Sequence, residues 1–86
     1  MEAELWPELE EQMTALLEER DYINNTLPVS YVIKTIKGSI NDLRKFQNDE
    51  RFPQNTISKW MTTFDEWLED ATQRKARQIV CIIMRL

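Results

Sequence analysis

The chain has 86 residues, with fifteen Asp and Glu, eleven Lys and Arg, no His, one Cys, one Gly and a net charge of −4. Without His and with a single Cys it lacks the ligands of a Cys/His zinc site, a His general base and an internal disulfide, and one Gly is too few for a phosphate-cradling loop. Hydrophobic residues make up 42%, three Trp among them, too many for a disordered tail, so the length fits one small domain or half of an obligate dimer.

The first element is an acidic helix over about residues 6–20. Trp6, Leu9, Met13, Leu16 and Leu17 repeat at three and four, with Pro7 in the first turn and Glu8, Glu10 and Glu11 where the helix dipole favours acids. Asp21 to Thr26, with Asn24-Asn25, reads as a turn. A second helix follows over about 28–37, with Thr26 as N-cap and Val29, Val32, Ile33 and Ile36 on one face. Three of those four are β-branched, but the spacing is helical rather than alternating. Gly38 then reads as a left-handed stop, and Ser39 with Asp42 as a capping pair for a third helix over 39–48, whose stripe is Ile40, Leu43 and Phe46.

The clearest periodicity lies in a helix over 54–71, capped by Asn55 or Thr56. Ile57, Trp60, Met61, Phe64, Trp67, Leu68 and Ala71 fall on one stripe, with Trp60 and Phe64 expected at the centre of the core. Beyond Asp70 either this helix runs on or a fresh one spans 72–86. Ile79, Val80, Ile82, Ile83 and Leu86 spread over more than one face, wider than a single buried stripe uses. That excess predicts cover by another chain, a symmetric copy first, with Ile79, Ile82, Ile83 and Leu86 as the assembly residues; the alternative is a cleft between the first helix and the 54–71 helix deep enough to take the segment whole. The expected fold is thus all-α, a compact single-domain bundle of four to five helices.

Charge is unevenly placed. Residues 1–26 carry eight acids against one base, net −7, and residues 27–86 carry ten bases against seven acids, net +3. The sign argues against direct nucleic-acid binding, while Lys34, Lys37, Arg44 and Lys45 can form a local basic patch. The acidic N-terminus is unlike a signal peptide, and the longest apolar run, Ile79 to Met84, is far shorter than a membrane span. The chain therefore reads as soluble and intracellular, with no membrane partner. Carboxylate pairs such as Asp65 with Glu69 and Glu66 with Asp70 read as a solvated face, and Cys81, inside an apolar run, as core. No catalytic residue, metal ligand or cofactor site is expected, and the chain is not read as an enzyme. Trp6, near the chain start beside Pro7, is the Trp expected to be partly exposed and to anchor a partner.

Thr26-Leu27-Pro28-Val29-Ser30 ahead of an apolar helix, then Thr35, Gly38, Ile40-Asn41, Leu43-Arg44-Lys45, and Trp60 seventeen residues after Leu43, resemble the N-terminal helical domain of the elongation factor TFIIS, also found in Elongin A and a Mediator subunit. The resemblance covers about residues 20–68, and its most specific piece is Gly38 through Lys45. The match departs from the family pattern: Gly38 to Asn41 is one residue short, the Leu27 to Leu43 interval about three short, and Phe46 stands where the family has His. The resemblance implies a helical module that docks short disordered peptides of transcription-elongation factors, with a nuclear setting. Lys34, Arg44 and Lys45 would face the peptide and Trp60 would floor the groove. The expected function is accordingly a non-catalytic protein-interaction module, with Trp6, Lys34, Lys37, Arg44, Lys45 and Trp60 as partner-binding residues. Two alternatives stand beside it: a small acidic inhibitor that blocks a basic, nucleic-acid-binding surface of a partner, and a homodimeric assembly element that uses the C-terminal helix.

Overall fold

The computed structural model describes the backbone of residues 2–85 and the side chains of residues 6–81 and 84. Among them are four α-helices and no strand: α1 (Glu2–Glu18), α2 (Arg20–Thr26), α3 (Val29–Arg44) and α4 (Gln54–Arg85). The all-α class expected from periodicity is the class adopted, but several helix boundaries differ, each for a physical reason.

α1 begins at Glu2, not at residue 6, with Pro7 inside it. The segment expected as a turn, 21–26, is helical. α2 continues α1 with one break at Glu19 (φ −95°, ψ 10°), and the backbone bonds run on through it, Glu19 N–H to the Ala15 carbonyl at 3.0 Å and Ile23 N–H to the Glu19 carbonyl at 2.9 Å. Tertiary anchors override the turn preference of Asn24-Asn25. Ile23 is buried, the Trp67 indole N–H donates to Asn24 Oδ1 at 2.8 Å, and Arg74 Nη2 donates to the Asn24 carbonyl at 3.2 Å. α2 stops at Leu27, held extended ahead of Pro28 (φ −100°, ψ 150°) because a residue before proline disfavours the helical region. Pro28, rather than Thr26, takes the N-cap position of α3, its carbonyl accepting from Val32 N–H at 3.1 Å.

α3 is one helix where two were expected. Gly38 does not stop it, because the inward stripe Val29, Val32, Ile36, Ile40 and Leu43 is continuous across that position and fully buried helix packing decides conformation over the local glycine preference. Ser39 is not a cap either: its hydroxyl donates to the Thr35 carbonyl at 3.1 Å, the back-bond of a serine in mid-helix. The helix also ends earlier than expected, at Arg44, and residues 45–48 form turns with Asn48 in the left-handed region (φ 70°), which a short polar side chain tolerates.

One side chain organises the connection to α4. Gln54 Nε2 donates to the carbonyls of Phe46 (3.0 Å), Asp49 (2.6 Å) and Phe52 (3.3 Å), and Gln54 Oε1 accepts from Asn48 N–H at 2.9 Å. Gln54 also opens α4, so the expected caps Asn55 and Thr56 lie inside its first turn. Asp49 accepts from the Arg51 side chain at 3.0 and 2.6 Å and from its backbone N–H at 3.1 Å, and these bonds hold its carboxyl below the usual aspartate range.

The core is the inward stripe of α3 against that of α4 (Ile57, Phe64, Trp67, Ala71), with Leu9 and Met13 of α1 inserted. Phe64 is fully buried as expected, but Trp60 is only half-buried. It stacks on Trp6 (centroids 5.5 Å apart), which also meets Phe52 at 5.8 Å, while Phe46 meets Phe52 edge-on at 4.8 Å. This aromatic group closes the end of the bundle where the start of α1, the 45–53 connection and the start of α4 converge.

α4 resolves the alternative at Asp70: it is one helix of 32 residues, about 48 Å at 1.5 Å per residue. Its stripe ends at Ala71. The positions that would continue it, one and two turns on, are Lys75 and Gln78, both exposed, so nothing holds the following turns against the body. Residues 75–81 and Met84 are exposed. Cys81, expected in the core, is therefore on the surface, because the turn that carries it has left the bundle.

Candidate functional site

α3 presents a basic outer face. Lys34, Lys37 and Arg44 lie on the helix and Lys45 just past its end, all four exposed, with Asp42 the only acid of the helix. Lys45 Nζ approaches Asp42 Oδ1 at 3.6 Å, a solvent-screened pair that leaves the other three bases open to a ligand.

A groove flanks this face on each side. The first, about 350 Å³, runs between α1 and α3. Its walls are Gln12 and Leu16 from α1, and Tyr31, Lys34, Thr35, Gly38, Ser39 and Asp42 from α3. Leu16 and the half-exposed ring of Tyr31 supply apolar surface, Lys34 supplies a cation, and Thr35 and Ser39 supply polar lining. Gly38 leaves that wall low: a Cβ built there would meet nothing within 4 Å. The second groove, also about 350 Å³, runs between α3 and α4, where Lys37 and Arg44 face Asp65 across Ile40, Asn41 and Leu68.

The structure places the sequence-predicted residues in two groups. Lys34, Lys37, Arg44 and Lys45 share the outer face of α3, at spacings of three, seven and eight residues that bring them onto adjacent helical rows. Trp6 and Trp60 are brought together, but on each other at the aromatic end of the bundle and not at either groove. The groove floor is supplied instead by Leu16, Tyr31 and Gly38, none of which the sequence singles out as a binding residue. The signal for Tyr31 was present: it lies outside the inward stripe of α3, and a tyrosine there is left with its ring on the surface. Of the assembly residues, Ile79 is exposed, whereas the side chains of Ile82 and Ile83 and the whole of Leu86 lie outside the described residues.

Two further surfaces are defined by charge. The outer face of α1 carries Glu10, Glu11 and Glu18 around Pro7, Thr14 and Ala15, all exposed. Between α2 and α4, Arg20 and Asn24 sit among Asp21, Glu66 and Asp70. Among the described residues no three His, Cys, Asp or Glu are gathered to hold a metal ion, and no helix is long and apolar enough to cross a membrane. No family model, curated protein or solved structure matches the chain.

Proposed function

We propose that the chain is a non-catalytic interaction module that docks a short disordered peptide, acidic with an apolar anchor, along the α1/α3 groove. The observation that carries this reading is the composition of that groove: an apolar stretch at Leu16 and Tyr31, a wall lowered by Gly38, and Lys34 at the edge of a basic helix face in an otherwise acidic chain. An apolar side chain of the peptide loses water against Leu16 and the Tyr31 ring, while flanking carboxylates meet Lys34, Lys37 and Arg44. The extended partner fits a shallow, open groove better than a compact ligand does, since compact ligands take pockets that enclose most of their surface. The resemblance to TFIIS N-terminal domains over residues 20–68 supplies the partner class, the disordered tails of transcription-elongation factors, and with it a nuclear setting.

The test is a nuclear magnetic resonance titration of the labelled chain with acidic peptides that each carry one Leu or Phe anchor. The reading predicts shifts concentrated at Tyr31, Lys34, Thr35 and Gly38. Lys34→Glu should weaken binding about fivefold, or ~1 kcal/mol. Gly38→Trp, which fills the groove from an exposed helical position, should abolish it. Shifts confined to other faces, or binding unchanged by Gly38→Trp, would contradict the reading.

A further inference from the structure

Beyond Arg74, whose guanidinium still donates to the Asn24 carbonyl, α4 leaves the body and continues to Arg85, about 16 Å of helix at 1.5 Å per residue. This arm exposes apolar side chains. Ile79 and Val80 are each about half accessible (48% and 52%) and Met84 is 82% accessible. It has no acid: from Ala71 onward the charged residues are Arg74, Lys75, Arg77 and Arg85. A basic helix with exposed apolar residues needs an acidic, extended cover.

Such a cover exists on the same chain. α1 contains six glutamates and no Lys or Arg, and its outer face sets Glu10, Glu11 and Glu18 around the short side chains of Thr14 and Ala15. α1 is 17 residues long, about 25 Å, enough to run beside the whole arm. The arm cannot reach the α1 of its own chain, because α4 is an unbroken helix and the arm extends along its axis away from the body.

We propose that two copies of the chain form a reciprocal dimer in which the basic, apolar arm of each, Lys75 to Met84, lies along the acidic outer face of α1 of the other. Thr14 and Ala15 are small enough to let the helices approach, so that Ile79 and Val80 lose water between them, while Lys75 and Arg77, on either side of that apolar pair, meet the glutamates of the α1 face. The contact is self-complementary and closes on itself, so the assembly stops at two. Arm-to-arm pairing is the poorer arrangement, because it sets two all-basic segments side by side. An anionic bilayer, the other surface a basic amphipathic helix suits, is opposed by the glutamates of α1 and the net charge of −4. The surfaces used are distinct from the α1/α3 groove.

Sedimentation of the full chain tests this, with a charge swap as the deciding step. The wild type should be a dimer that weakens as salt is raised. Lys75→Glu/Arg77→Glu should be monomeric, and so should Glu11→Lys/Glu18→Lys. All four positions are exposed, and circular dichroism would verify that each variant keeps its helix content. Mixing the two variants should restore a dimer, since both contacts in the mixed pair are again opposite in sign. A wild type that stays monomeric across the concentration range overturns the proposal. So does a dimer indifferent to both double substitutions, or an arm that binds phosphatidylserine vesicles in place of a second copy.

Discussion

The clearest single-residue dependence is that of the 45–53 connection on Gln54. Its amide donates to three carbonyls and accepts one N–H, closing a segment that has no helical bonds of its own beyond isolated turns. Removing the side chain leaves those partly buried carbonyls to water or to nothing, at a cost of about 1–3 kcal/mol. Gln54→Ala should therefore lower the melting temperature by roughly 4–8 °C for each kcal/mol lost, and the Asn48 amide should exchange freely with solvent. An unchanged melting temperature would show that the connection is held by the Phe46–Phe52 contact instead. Nothing in the local sequence marks Gln54, because a glutamine after proline is an ordinary helix start and its four partners become neighbours only when the chain turns back. Trp60 illustrates the same limit. Its place on the stripe was legible, but its half-burial depends on Trp6 arriving from a helix fifty-four residues away in sequence.

At the scale of elements, α3 shows packing deciding over local signals. Gly38 and Ser39 carry a stop and a cap in sequence, yet the stripe from Val29 to Leu43 keeps its helical phase across both, and that phase is what the core reads. A glycine in an exposed mid-helix position costs about 1 kcal/mol relative to alanine. Because a Cβ at position 38 would meet nothing within 4 Å, Gly38→Ala should stabilise the chain by about 0.5–1 kcal/mol, measured by denaturant unfolding with an unchanged slope. Destabilisation would mean that residue 38 is not helical and that residues 28–48 form two helices. The same helix carries the candidate site. Its basic residues were legible as a patch because they share one helix. The groove beside them was not, since one of its walls, Gln12 and Leu16, belongs to α1 and its position follows from how α1 leans on the core. α1 itself was legible as an amphipathic helix, with Leu9 and Met13 buried and Glu8, Glu10, Glu11 and Glu18 outside.

The whole molecule is a small body with a projecting arm. A globular chain of 86 residues has a radius of gyration of about 12 Å; this one has 15.3 Å, with extents of 55 × 22 × 17 Å. The difference lies in α4, which supplies the long dimension. The over-wide apolar arc after residue 78 was the sequence's sign that one bundle cannot cover this segment. That it leaves the body as a continuation of α4, and not as a separate helix folded back, follows from the exposed Lys75 and Gln78, which interrupt the buried stripe without breaking the helix. Among the described residues every buried one lies between Leu9 and Ala71, so folding belongs to that span and the turns beyond Arg74 are left to the proposed contact. The most direct measurement is the thermal unfolding of a chain ending at Lys75, at a concentration low enough that the full chain is monomeric. The account predicts a cooperative transition within a few degrees of the full chain's. A truncated chain that is unfolded, or that melts without cooperativity, would place the arm in the core and contradict it.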